Sequence, residues 1–404
     1  MDELLAPAGA RLLAEADAAL AAGDEFGAGA RLRAAGHSGE LVAAAFTQAE
    51  LRRRAAGAFT RAAEMLFTRP GLEQSTSEAL AQHRAARFAG AGRVADLCTG
   101  IGGDLAAFAV AGHPLVAVDR DPAHLRIAVH NARRYAPDSE IDARCADVRE
   151  VDLTGVDAVY VDPARRSGSR RLAAGACEPP LDWCFALAER VPAVGVKAAP
   201  GLPTELVPPR WEVEFVADGR NLKEAVLYSP ALATGPSRRA TVLPAGGASP
   251  GQVATLAGEP DADEGPDRPL GEPGSYLYDP SPAVTRAGLV GALGRRLDAW
   301  QIDPLIAFLT ADRAVETPFA RLLRIEASLP FDVRRLATLL RGMGISALDL
   351  RRRGLAGDVD TLRRRLLPAR RDLVAGGPAV TLVMTRRDDS PWALVCVPPA
   401  HPAR

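Results

Sequence analysis

VADLCTGIGGD, Val94 to Asp104, runs from a short apolar segment through an acid into three glycines within four positions. An apolar run of this length that ends in glycine reads as a buried strand whose carboxyl end opens into a tight bend, where backbone without side chains lets a ligand come close. The segments that follow repeat the rhythm: LAAFAVAG, PLVAVDR, PAHLRIAVHNARRYA, IDARCAD, VDAVYVDPA, LDWCFALAER and AVGVKAAPG. Strand and amphipathic helix in alternation predict a doubly wound parallel sheet with helices on both faces, an α/β fold of Rossmann-like type. WEVEFVADGRNLKEAVLYS then places two strands around the turn-forming Asp218-Gly219-Arg220-Asn221, a hairpin that closes the sheet.

Outward from that core, the chain divides into four expected parts. Residues 1–90 carry helical spacing, as in SGELVAAAFTQAELRRRAAGAF, where Ser38 is placed to cap. Residues 91–235 hold the sheet, and 236–275, dense in Pro, Gly and acids, read as a linker or loop. Residues 276–404 mix helices (PAVTRAGLVGALGRRLDAW, FDVRRLATLLRGMG, DVDTLRRRLLPAR) with strands (LIAFLTA, ISALDLRR, AVTLVMTRR, WALVCVPP), an α+β domain. From Arg321 to the end there are 16 Arg against 8 Asp plus Glu, whereas the 404-residue chain as a whole balances 49 basic with 50 acidic residues. A polyanion-binding surface is therefore expected to be local. No leader and no run of about 18 apolar residues is present, so a cytoplasmic protein without membrane partners is expected. The five cysteines form no C-x-x-C pair, which points to neither a disulfide framework nor a metal site. Only Lys197 and Lys223 are lysine, so arginine richness by itself says little about nucleic acid.

Which ligand suits the bend follows from the acids around it. A dinucleotide fingerprint counted from Gly100 needs Gly or Ala where Leu105 stands, and Asp104 would crowd a pyrophosphate. Asp96 lies in the first strand, Asp119 ends the second and Asp147 follows the third. S-adenosylmethionine has no phosphate and presents a sulfonium, an ammonium and a ribose diol. Asp119 would accept from both ribose hydroxyls, Asp147 from the adenine amine with Val148 beside it, and Asp96 would face the ammonium.

With these residues in place the chain resembles the class I S-adenosylmethionine-dependent methyltransferases, through DLCTGIGGD, AVDRDP, CADV and VDPAR. More narrowly, LFTRPGLEQSTSEALAQHRAARF, VYVDPARR and LKEAVLY, with YLYDPSPAVTRAGL, PFARLLRIEASLPFD and TLVMTRRDD, resemble bacterial methyltransferases with a carboxyl-terminal THUMP-like domain. The resemblance implies a seven-stranded sheet with a reversed last strand and S-adenosylmethionine as cofactor. It implies a cofactor set of Gln74, Thr76, Asp96, Cys98, Gly100, Gly102, Gly103, Asp104, Asp119, Arg120, Asp147 and Val148, without metal.

The methyl acceptor is less determined. The fourth strand ends in Asp162-Pro163, where the acid is expected to orient the acceptor and take its proton and the proline to shape the backbone. Exocyclic-amine methyltransferases carry an aromatic residue where this chain has Arg165. Carbon methylases of uridine need a cysteine after the fifth strand, and VKAAPG has none. Arg165 and Arg166 are expected to meet an anionic substrate, and Lys197 and Lys223 to face the same crevice. RNA presented by the last domain is the expected substrate. A small-molecule methyltransferase and a non-catalytic cofactor-binding protein are the alternatives, and the oligomeric state is open.

Overall fold

The computed structural model describes residues 2–164, 166–167, 170–171, 176–244, 253–261, 269–355, 358–367 and 373–399. The chain divides into two compact units, the first running to Ser237 and the second built from Arg238–Val242 and from Ala254 onward.

After a four-residue helical turn at Asp2–Leu5, the first unit has helices α1 (Pro7–Ala22), α2 (Glu25–Ala34) and α3 (Gly39–Ala55). Ser38 caps α3 by accepting from Leu41 N at 3.2 Å, as its place in the sequence implied. Their apolar stripes, including Leu12, Leu32, Val42, Ala45 and Leu51, form a core that also takes Ile101 and Ile127 from the α/β part. The 1–90 segment thus shares one compact unit with the sheet. Helices α4 (Arg69–Gln74) and α5 (Glu78–Ala85) lead to the sheet.

Seven strands follow: β1 (Val94–Leu97), β2 (Leu115–Asp119), β3 (Ile141–Cys145), β4 (Ala158–Val161), β5 (Ala193–Ala198), β6 (Glu212–Asp218) and β7 (Asn221–Tyr228). Between them lie α6 (Gly103–Val110), α7 (Pro122–Tyr135) and α8 (Leu181–Ala186). The spatial order is β3-β2-β1-β4-β5-β7-β6, with β7 alone running against the direction of the other six. β1, β2 and β4 are buried at every residue, which is why they read as unbroken apolar runs in the sequence. α7 starts where Asp121 accepts from Ala123 N and His124 N with Pro122 in the first turn. The order in the sheet reverses between β1 and β2 on one side and β4 on the other, so a crevice opens at the carboxyl ends of these strands.

The second unit holds a hairpin of β8 (Arg238–Leu243) and β9 (Ala254–Gly258), in register from Arg238 with Gly258 to Val242 with Ala254. This corrects part of the expected linker: strands of six and five residues lie within it, with Thr241 and Thr255 hydrogen-bonded across the pair at 3.1 Å and Leu256 buried. Within that linker, residues 245–252 and 262–268 lie outside the described residues. The unit continues with β10 (Tyr276–Pro280), α9 (Pro282–Ala287), α10 (Val290–Leu297), β11 (Trp300–Gln301), β12 (Leu309–Ala311), β13 (Ala320–Pro330), α11 (Val333–Gly342), β14 (Ala347–Arg352), α12 (Val359–Leu366), β15 (Ala379–Arg387) and β16 (Ser390–Val397). Its sheet runs β11-β12-β10-β13-β16-β15-β14. The single helix expected from Pro282 to Trp300 is two, broken by Gly288 in the left-handed region at φ +70°. Among the described residues no helix is long and apolar enough to cross a membrane.

Candidate functional site

The bend after β1 is held in a conformation few sequences accept. Cys98, Gly100 and Gly102 have φ of +64°, +59° and +82°. At Gly102 a Cβ would sit 2.6 Å from Ala128 Cα, so the glycine lets α7 pack against the bend. At Gly100 a Cβ would meet nothing within 4 Å: that backbone faces open space. Thr99 Oγ1 donates to Asp96 O at 2.8 Å and accepts from Val118 N at 3.1 Å, tying the bend to β2. Asn131, fully buried on α7, donates to Ile101 O at 2.8 Å and to Leu66 O at 2.9 Å, joining the bend to the N-terminal helices.

Beside the bend lies a cavity of about 540 Å³ at the carboxyl ends of β1 to β5. It is lined by Gln74 and Thr76 from the end of α4, by Cys98, Gly100, Gly103 and Asp104 from the bend, by Asp119 and Arg120, by Asp147 and Val148, and by Asp162, Pro163 and Lys197. Asp119 is fixed by two backbone donors, Gly100 N to Oδ2 and Asp121 N to Oδ1, each at 2.8 Å. Each oxygen keeps a lone pair for a further donor. Asp147 Oδ1 accepts from Arg149 N at 2.9 Å.

On the deep side of the cavity the charges form a chain. Lys197 Nζ, 6% exposed, donates to Asp162 Oδ2 at 2.7 Å and to Thr76 Oγ1 at 2.9 Å. Thr76 Oγ1 in turn donates to Asp104 Oδ2 at 3.2 Å. Asp104 and Glu224 are bridged by Arg84, which α5 places 1% exposed and 4.8 Å above the Tyr160 ring. Burial opposes the guanidinium charge, but Glu224 and the neighbouring Tyr160 and Tyr228 reverse that and raise the Arg84 pKa. Asp96 has no such partner: its Oδ2 is buried without a hydrogen bond. Burial, then the charge of Asp162, push its pKa up to about 8.

Comparison with known proteins adds to this geometry. Proteins of two Mycobacterium tuberculosis strains, each named an uncharacterized S-adenosylmethionine-dependent methyltransferase (MT3122 and Rv3037c), are 35% identical over 358 residues, 83% of this chain and 90% of theirs. The chain belongs to this family of S-adenosylmethionine-dependent methyltransferases. A family model described as RNA cap guanine-N2 methyltransferase matches residues 91–180, one described as THUMP domain-like matches 320–398, and a domain of unknown function matches 1–55. The crystal structure of a methyltransferase from Porphyromonas gingivalis W83, named there as putative, superposes with a TM-score of 0.73 over 90% of this chain and 92% of its own at 22% identity, a likeness of fold.

Not every residue expected at the methyltransferase's site reaches it. Gly102 lies under the bend rather than in the cavity wall, and Asp96 sits behind it. Lys223 does not line the cavity. Strand alternation turns Glu224 inward to Arg84 and Lys223 outward, where it stands 3.8 Å from Asp218. Arg165 lies outside the described residues, and Arg166 is placed only as backbone of a two-residue strand. Sequence reasoning missed Arg84, Glu224 and Asn131. For Glu224 a signal existed: an acid inside the apolar strand LKEAVLY implies a buried cation.

Proposed function

We propose that this methyltransferase acts on RNA and that Asp162 holds the acceptor atom. The observation that carries the reading is the Asp162–Lys197 contact of 2.7 Å in the cavity wall: it fixes the carboxylate through Oδ2 and leaves Oδ1 to accept from an N–H or O–H. The family models over 91–180 and 320–398, with their RNA cap and THUMP-like descriptions, support an RNA substrate.

The cavity suits the cofactor on its own chemistry. Its bend is open at Gly100, and Asp119, Asp147 and Asp162 line it where a pyrophosphate would be repelled and a cation welcomed. S-adenosylmethionine, when bound, supplies an electrophilic methyl on a sulfonium. In this reading Asp119 takes the ribose hydroxyls, Asp147 with Val148 the adenine edge, and Gln74 and Thr76 the methionine end, with Cys98, Gly103, Asp104 and Arg120 completing the walls and Asp96 behind them. Asp162 orients the acceptor's proton-bearing atom in line with the methyl and receives the proton it loses, while Pro163 shapes the backbone beside it. Lys197 keeps that carboxylate in place.

Mass spectrometry of nucleosides from cells with and without the gene tests the reading. One methylated nucleoside is expected to disappear; its persistence in all RNA would remove RNA as the substrate. On that RNA, Asp162→Asn is expected to lower kcat by about 10²-fold or more.

A further inference from the structure

The second unit carries its arginines in two different ways on the two sides of one sheet. On one side Arg321, Arg351, Arg353 and Arg387 belong with Leu323, Val383 and Leu394. Each of the four has a carboxylate partner. Arg321 and Arg351 each reach Asp349 at 3.0 Å, Arg353 reaches Asp279 at 2.9 Å, and Arg387 pairs with Glu272 and lies 4.8 Å over the Trp392 ring.

The other side is covered by α11 and α12, which bury Leu336, Leu340 and Leu366 against Leu348, Leu382 and Val395. Their outer surface exposes Arg334, Arg335, Arg341, Arg364 and Arg365, while Arg363 turns back to donate to Leu348 O at 2.6 Å. None of these has a carboxylate within 4.0 Å among the described residues. The acids nearby serve the helix ends instead: Asp332 caps α11 through Arg335 N at 2.8 Å, and Asp358 caps α12 through Thr361 N at 2.7 Å. Arginine bias in the chain cannot explain this division, since across the sheet the arginines are paired with carboxylates. Five exposed guanidinium groups on two packed helices, with no carboxylate within 4.0 Å among the described residues, are suited to bidentate contact with phosphates.

We propose that the outer surface of α11 and α12 is where the THUMP-like unit takes the phosphodiester backbone of RNA, an inference that rests on the RNA reading above. Contacts of this kind position a substrate without reading its sequence and release counterions.

The test is binding of a 5′-labelled RNA hairpin to the full chain across a salt series, for the wild type, for Arg334→Gln/Arg341→Gln/Arg364→Gln, and for Arg351→Gln from the opposite side. The triple variant is expected to bind at least about tenfold more weakly at low salt and to flatten the slope of log K against log salt by about 2. Arg351→Gln should keep the wild-type slope. Exposed arginine-to-glutamine changes should leave the melting temperature within a few degrees, which checks the fold. If wild type and triple variant share one slope, this surface is wrong while the RNA reading survives. If the wild type binds no RNA at low salt, both fall. Binding to phosphatidylserine vesicles in place of RNA would also overturn the proposal.

Discussion

The two faces of the first unit's sheet are built from opposite materials. One face presents Leu97, Val161, Val196, Leu227 and Val213 across neighbouring strands, apolar and buried throughout. The row on the other face, one residue away, reads Asp96, Tyr160, Gly195, Tyr228 and Glu212. On this second face α5 and the turn after it dock through a hydrogen bond between His83 and Glu214 at 2.8 Å and through ion pairs of Arg84 with Glu224 and of Arg87 with Glu212 at 2.7 Å beneath its stack on Tyr228. An apolar face is indifferent to small shifts, whereas a buried ion pair tolerates few geometries. The polar face is also the one that leads, through Arg84, Asp104, Thr76 and Lys197, to Asp162 in the cavity. Its charges hold α4 and α5 in one position relative to the cavity wall they form.

The largest effect that breaks this contrast is expected at Arg84. Arg84→Met keeps much of the volume but leaves Asp104 and Glu224 buried without their cation, a loss of about 3–5 kcal/mol of stability. Denaturant unfolding should show it. Adding Asp104→Asn and Glu224→Gln to the same chain removes both stranded charges and should recover most of the loss. No recovery would mean that Arg84 acts by packing alone.

Asp96 gives the next effect, and its sign depends on pH. Its folded pKa of about 8 lies above the ordinary 3.8, so between these values the native state holds a proton that the unfolded chain has released. Wild-type stability therefore falls as pH rises through that window, by at most about 1.4 kcal/mol per unit from this group, and levels off above it. The carboxyl is surrounded by Asp162 and Asp119, which favour the proton, and by Arg84 and Lys197, which oppose it. Asp96→Asn has no such proton. Its melting temperature relative to wild type should climb from pH 5 to pH 8 and then hold constant. A difference independent of pH would show that Asp96 is ionised in the fold.

How far the sequence foretold this contrast can be judged from single residues. The glycine bend and Asp119 were legible because the φ values and the strand-end acid each admit few residue types. The β6–β7 hairpin was legible from Asp218-Gly219 between two apolar runs. Arg84 was not, because in a chain with almost no lysine a buried arginine is written in the same letter as dozens of solvated ones. β13 was hidden for another reason. A bulge between Ile325 and Ala327 shifts its alternation by one residue, so Leu323 and Leu329, both odd-numbered, face opposite sides of the sheet.

The two lysines sharpen the comparison at its small end, because they differ in what they touch. Lys197 sits 6% exposed between Asp162 and Thr76, with room for one compact ammonium. Lys197→Arg keeps the charge but brings a wider planar group that cannot reproduce both contacts, and a fall in kcat of about 10–100-fold with little change in the cofactor Kd is expected. Lys223 stands 43% exposed and 3.8 Å from Asp218, a geometry worth close to nothing. Lys223→Arg should leave both kcat and melting temperature unchanged within error. Equal losses at the two positions would mean that Lys223 reaches the acceptor in the working enzyme and that its outward place on β7 is not the one used in turnover.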